Sequence, residues 1–393
     1  MKNIYVNGNI ITQDLKNPRA EAFITENNVF VKVGSNIEVL DMRTEQDVVI
    51  DLAGKTVTPG FNDSHVHLLN YAYSLKKVDC SNAKSAEEVI ELGRKFIESN
   101  KLMKDEWVLG RGWNQILFDN KSEITRVHLD KITTEHPLSF TRICEHITVA
   151  NSKALEICGI TKNTPQPVGG HFDIDENGEP TGIFRESARY MIYDKIPEAN
   201  KNEIKAMLTD VSKLASSLGI TSVQTDDFET FASKDFKVIL QAYKELIQEK
   251  KLTVRVYEQC LLPEIDRLKL FLSMGYKTGF GNEYFKIGPL KLLTDGSLGA
   301  RTAYLNSPYN DDATTRGINV FTQDELDELI LTAHKGGMQI LTHAIGDGAI
   351  HMCFEGFRKA QGEYLKNDPR FGIVHLQIDR KSTRLNSSHV ALS

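Results

Sequence analysis

Two histidines one residue apart, His65 and His67, close the stretch Thr58-Pro59-Gly60-Phe61-Asn62-Asp63-Ser64-His65-Val66-His67. Side chains alternate faces along a strand, so this spacing sends both imidazoles the same way, where they can converge on one cation. Neutral imidazole nitrogen suits zinc and neighbouring transition metals. The pair alone is weak evidence, because two histidines in a strand arise often without a metal. Three further residues strengthen it. Lys291 lies in the apolar run Phe285-Lys286-Ile287-Gly288-Pro289-Leu290-Lys291-Leu292-Leu293, His343 ends Met338-Gln339-Ile340-Leu341-Thr342-His343, and His375 ends Phe371-Gly372-Ile373-Val374-His375. Each alone reads as a strand-end cation or a satisfied core histidine. Together they place chemistry at the ends of several strands of one sheet.

The elements that must position these residues follow from the hydrophobic periodicity. From about residue 205 helical and strand patterns alternate. Helix 203–218 leads into strand 219–225, helix 236–250 into 252–257, helix 323–335 into 338–342 and helix 349–365 into 371–375, with strand 285–293 between the second and third pairs. Alternation of this kind predicts βα units and a parallel sheet. The expected fold is α/β: a (β/α)₈ TIM-type barrel, incomplete, with about six of eight strands present and its chemistry at the carboxyl ends of the strands. Counting the His65/His67 strand as first, Lys291, His343 and His375 fall on the fourth, fifth and sixth.

Residues 1–57 alternate short apolar runs (Ile4-Tyr5-Val6, 29–33, 48–52) with turn-formers such as Asn7-Gly8-Asn9 and Gly34-Ser35-Asn36, and predict a small N-terminal β-domain. The barrel domain is expected over 58–378. Within it, about 68–200 fits the rhythm poorly: a helix at 85–100, an aromatic segment from Trp107 to Phe118 and a glycine-rich piece around Gly169-Gly170-His171. This is read as an insertion after the first barrel strand that covers the mouth of the site, where selectivity usually lies.

Composition narrows the class. The 393 residues are 40% hydrophobic and 25% charged with a net charge of −6, which gives no reason to expect nucleic acid or anionic membrane as a partner. No apolar run approaches the roughly 18 residues of a membrane span, and the N-terminus lacks the apolar core of a signal peptide. Five cysteines without Cys-x-x-Cys spacing suggest neither a disulfide framework nor a thiolate zinc site, and the expected location is the cytoplasm.

The order His-x-His on strand one, Lys on four, His on five and His on six resembles the amidohydrolase superfamily. Four segments resemble its YtcJ-like "amidohydrolase family 3" branch, which includes N-substituted formamide deformylase: Gly110-Arg111-Gly112-Trp113-Asn114, Lys291 through Ala303, His343-Ala344-Ile345-Gly346-Asp347 and Gly372-Ile373-Val374-His375. The resemblance runs from residue 1 to about Ile378. It implies that His65, His67, Lys291, His343 and His375 are metal ligands, with Lys291 able to serve as a carbamate because a protonated amine would be repelled by the ion. It implies one or two divalent ions, zinc foremost, that lower the pKa of a bound water toward about 7 and polarise the scissile carbonyl. The expected activity is hydrolysis of a C–N bond in a small-molecule amide, formamide or cyclic amide by metal-bound hydroxide. The alternatives are a deaminase of an aminated heterocycle and a non-catalytic metal- or ligand-binding relative. Trp113, His146, Asp295 and Arg301 are candidates for substrate binding, each weighed against simple packing or a surface ion pair. The intact parent could pair as a homodimer.

The family pattern also needs an Asp at the end of strand eight as metal ligand and proton shuttle. That residue is expected beyond this chain. Residues 379–393 show no helical or strand periodicity, and one of their codings resembles sequencing-adapter read-through, so an artefactual tail is expected there and His389 is not counted as a ligand. The chain as written is therefore expected to be a poorly soluble, inactive fragment with open sheet edges.

Overall fold

A computed structural model describes residues 1–378; the tail expected at 379–393 lies outside the described residues. Residues 1–57 form two small sheets, one of four strands in the order Val29–Gly34, Ala22–Glu26, Asn3–Val6, Val48–Asp51, the other of Arg19–Ala20, Asn9–Ile11 and Thr56–Val57. Ile4, Val6, Ala22, Ile24 and Val39 make their core. Asp47 ties the first strand to the loop ahead of the last, accepting from the Lys2 amide at 2.8 Å and the Thr44 amide at 2.9 Å.

Six parallel strands carry the candidate site: β1 (Phe61–Val66), β2 (Ile220–Thr225), β3 (Arg255–Leu261), β4 (Phe285–Leu293), β5 (Ile340–Ala344) and β6 (Gly372–His375). They pair in chain order, each parallel to the next. The helices Lys201–Ser217, Phe236–Gln248, Ile265–Ser273, Gln323–Lys335 and Asp347–Glu363 alternate with β2 to β6. Val223, Val256, Leu290 and Ile340 on the sheet pack with Val211, Ile239, Leu246 and Ile350 from these helices into one core. This is part of the expected (β/α)₈ barrel. Among the described residues β1 and β6 are its two edges, and no seventh or eighth strand follows.

One strand departs from the sequence expectation. The run 252–257 was the expected strand, whereas β3 spans Arg255–Leu261. Leu252 and Val254 are buried as the chain enters the sheet, and the pleat continues through Glu258 and Gln259, charged and polar residues that hide a strand from any reading of apolar alternation. The register slips between Glu258 and Cys260, a bulge beside the site.

The insertion also has more structure than its weak rhythm suggests. It builds its own six-stranded sheet, in the order Gly170–Ile174, Pro180–Glu186, Ile147–Ala150, Leu138–Arg142, Val108–Trp113, Val78–Asp79. The last three strands run parallel to one another and the rest antiparallel. The helix Ala86–Asn100, capped by Ser85, supplies the crossover that a parallel pair requires. Val78, Val89, Val108, Trp113 and Phe140 belong to a hydrophobic core of its own. Among the described residues no helix is long and apolar enough to cross a membrane.

Candidate metal centre

The carboxyl ends of the six strands gather the expected ligands. His65 stands near the end of β1, and His67 is the cap residue of the helix Leu68–Ser74 that follows. Their ring centroids are 5.5 Å apart. The His375 ring lies 5.3 Å from His65 and 4.6 Å from His343. Thus β1, β5 and β6 bring four imidazoles together although β1 and β6 sit at opposite edges of the sheet. Curvature of the twisted sheet achieves this. His375 holds a left-handed backbone, φ 74°, an uncommon and costly conformation for a residue with a Cβ.

Lys291, in β4, is fully buried and its Nζ has no hydrogen-bond partner. Burial pushes its ammonium pKa down, opposed only by the charge of Asp226. Burial also lowers the His65 and His375 pKa values, and Lys291 and neighbouring imidazoles add to the effect. These groups are therefore biased toward their neutral forms, the forms that donate lone pairs.

Two carboxylates hold two of the histidines. Asp226, just past β2, accepts a short hydrogen bond on Oδ1 from His67 Nδ1, and this bond raises the His67 pKa. Asp295, just past β4, lies 3.3 Å from His343 Nε2. The same imidazole nitrogen is 3.2 Å from the Gly296 carbonyl. Asp295 also accepts from the amides of Ile345 (3.0 Å), Gly346 (2.7 Å) and Tyr304 (2.9 Å). Burial raises the Asp295 pKa, but the His343 and amide hydrogen bonds outweigh it and the net shift is downward. Packing here is tight: a Cβ added at Gly346 would lie 2.0 Å from the Tyr304 carbonyl oxygen.

Asp226 was not found from the sequence, and neither was the buried layer behind it. Asp227 accepts from Leu69 N (3.0 Å), Thr225 Oγ1 (2.6 Å) and Tyr243 OH (2.5 Å), and its own amide donates to Glu258 Oε1 at 2.8 Å. Burial pushes the carboxyl pKa values of Asp227 and Glu258 upward. The segment Gln224-Thr225-Asp226-Asp227 offered the same signal as the histidines, polar groups at a strand end, but it was overlooked because an acidic pair after a strand resembles an ordinary turn.

Of the four substrate-binding candidates, Asp295 lies at this centre, and the other three have partners of their own. Trp113 is fully buried in the core of the insertion and donates its indole N–H to the Phe140 carbonyl at 3.1 Å, so it packs the insertion and exposes no surface to a ligand. Asp295 has both oxygens occupied and acts on His343. Arg301 is half exposed and its guanidinium is held by Asp311 at 3.0 Å. His146 is exposed and pairs with Glu186 at 2.9 Å. For Trp113 and Asp295 the competing readings, packing and internal hydrogen bonding, describe what the structure contains.

Do these residues suit a metal ion? Among the described residues no three His, Cys, Asp or Glu side chains stand in an ion-binding arrangement as placed. Two of the imidazoles are turned onto Asp226 and Asp295 instead. Yet three buried polar atoms in this one place, His65 Nδ1, Asp226 Oδ2 and Lys291 Nζ, have no partner. Orphaned buried polar groups are costly and call for an explanation. A donor set of imidazole nitrogens with a buried amine fits a zinc-class ion.

Comparison with known proteins points the same way. The amidohydrolase family (Amidohydro_3) matches residues 48–387. The putative amidohydrolase YtcJ of Bacillus subtilis is 31% identical over 386 residues, 96% of this chain and 69% of that protein. The N-substituted formamide deformylase of Arthrobacter pascens is 26% identical over 366 residues, 90% of this chain and 65% of that enzyme. The crystal structure of an uncharacterized metal-dependent hydrolase from Pyrococcus furiosus superposes with a TM-score of 0.78 at 28% identity, covering 99% of this chain and 75% of that one.

Proposed function

The chain belongs to the amidohydrolase family, and from that premise we propose that it carries the metal centre of a hydrolase that cleaves a C–N bond in a small-molecule amide, formamide or cyclic amide. The observation that carries this reading is the convergence of His65, His67, His343 and His375 with the unpartnered Lys291 Nζ at one end of one parallel sheet.

In this reading His65, His67, His343 and His375 hold a divalent ion, zinc by the softness of the donors. Lys291 joins them as its carbamate, formed when the neutral amine adds CO₂ and releases a proton; burial favours the neutral amine that this addition requires. When bound, the ion supplies Lewis acidity toward the carbonyl and acidity to a coordinated water. The protein's own part is orientation. Asp295 fixes the ring of His343, and the bulge in β3 shapes the wall beside β4. The insertion is proposed to set selectivity. Five free cysteines agree with a reducing, cytoplasmic setting.

The test strips the protein of metal, reloads it with zinc and assays amine release from N-formyl amines, linear amides and cyclic amides. Zinc-dependent amine release supports the proposal. Release of ammonia from an aminated heterocycle, with amides untouched, would replace it with a deaminase.

A further inference from the structure

Asp226, Asp227 and Asp295 follow strand ends near the candidate metal centre, and their hydrogen bonding separates them. Asp295 accepts from three main-chain amides as well as facing His343. Asp227 accepts from an amide and two hydroxyls. Both are therefore bound into the scaffold whatever else they do. Asp226 is different. Its side chain is 2% exposed, and among the described residues its side chain bonds only His67 Nδ1 while its second oxygen is buried without a partner.

A buried carboxylate that bonds nothing in the scaffold costs stability. Such a group is poorly explained as a structural strut, because a strut would be tied to main-chain donors as its two neighbours are. What Asp226 does hold is one ring nitrogen of one imidazole, on a histidine whose side chain is 54% exposed and whose ring stands 5.5 Å from that of His65. When a carboxylate fixes one nitrogen of a histidine, it sets the tautomer and leaves the other nitrogen as a lone-pair donor.

We propose that Asp226 is a positioning residue for the metal centre: by accepting from Nδ1 of His67 it holds that ring in the Nδ1–H tautomer and turns Nε2 toward the ion. This rests on the metal-centre reading above. It assigns a role to the residue that follows β2, and it sets the pair Asp226–His67 beside the pair Asp295–His343.

The test is selective ¹⁵N-histidine labelling of the 393-residue protein, metal-free, taken upward in pH until the ring shifts stop changing and the neutral tautomer is read. It is followed by titration with Co²⁺ read from its visible absorption. Asp226→Ala removes the acceptor, and Asp226→Asn keeps its shape; circular dichroism checks that each is folded. The expected result is an Nδ1–H signature for His67 in the wild type and Co²⁺ affinity lowered about 10- to 100-fold in both variants. An Nε2–H signature in the wild type overturns the proposal whether or not a variant folds, and so does Co²⁺ binding in folded variants as tight as in the wild type. A wild-type protein that binds no Co²⁺ despite the Nδ1–H signature is a different failure. It removes the metal-centre reading itself, and the positioning role with it.

Discussion

Asp295 Oδ1 lies 3.3 Å from His343 Nε2, so a carboxylate at the end of β4 clamps the imidazole at the end of β5. The clamp is itself held by the amides of Ile345, Gly346 and Tyr304. These three donors come from the loop after β5 and the loop after β4. One side chain therefore joins two strand-end loops and orients the His343 ring between them.

Replacing Asp295 with Ala should cost more than a typical core truncation. Three amides would lose their acceptor in a buried setting, for a loss of about 3 kcal/mol or more. Urea unfolding of the metal-free variant measures it. Asp295→Asn, which keeps one acceptor oxygen, should lose less. A cost within experimental error for Asp295→Ala would mean the loops are held by other contacts.

Lys291 should show the reverse balance. Its Nζ is buried without a partner, so Lys291→Met removes a desolvated polar group and retains the hydrophobic stem. In the presence of a chelator the variant should be at least as stable as wild type, by about 1 kcal/mol or more, while zinc retention falls. A clear loss of chelated-state stability would show that the amine has a partner in solution.

Trp113 tests the assignment of the insertion core. Trp113→Ala should destabilise by about 3–5 kcal/mol. Trp113→Phe should cost about 1–2 kcal/mol, because the Phe140 carbonyl loses its donor. In any hydrolytic assay the protein supports, the Phe variant should leave KM near wild type for every substrate tried. A KM change confined to one substrate class would return Trp113 to the binding pocket.

Acid sensitivity of the N-terminal domain should trace to Asp47. The Lys2 and Thr44 amides hold its carboxyl down at about 2, against an ordinary value of 3.8. A group whose folded pKa is depressed stabilises the fold fully above its unfolded value, and that contribution fades as pH falls through the folded one. The melting-temperature gap between wild type and Asp47→Asn should therefore be constant above about pH 5 and close between about pH 4 and pH 2. A gap that stays open at pH 2 would assign the stabilisation to something other than the charge.

Much of this molecule is legible in its residues, for physical reasons. β4 spans Phe285–Leu293 and the helix before β5 spans Gln323–Lys335, both as the apolar patterns predict. Strongly amphipathic helices and buried parallel strands impose those patterns. Strand-end placement of Lys291, His343 and His375 is legible for the same reason. What stays hidden is whatever depends on contacts distant in sequence. The bond from His67 to Asp226 joins residues 159 apart, and no local pattern reports it. The burial of Trp113 is hidden for the same reason: the indole amid glycines leaves pocket lining and packing both open, and the parallel pairing of Val108–Trp113 with Leu138–Arg142 places it in a core. The insertion's own sheet was hidden because two of its strands, Val78–Asp79 and Ile147–Ala150, are too short to show a period.

The central claim is that four histidines and Lys291 form a metal centre, and metal content tests it most directly. The wild-type chain and a His65→Ala/His67→Ala double variant are loaded with zinc, passed over a desalting column and analysed by mass spectrometry for zinc per chain. Exposed imidazoles, His146 among them, remain in both proteins as an internal control. The account predicts that the wild type retains at least one ion per chain, and that the folded double variant, which loses both ligands next to β1 and keeps only His343, His375 and Lys291, retains about a tenth of that or less. Equal zinc in the two proteins would contradict it.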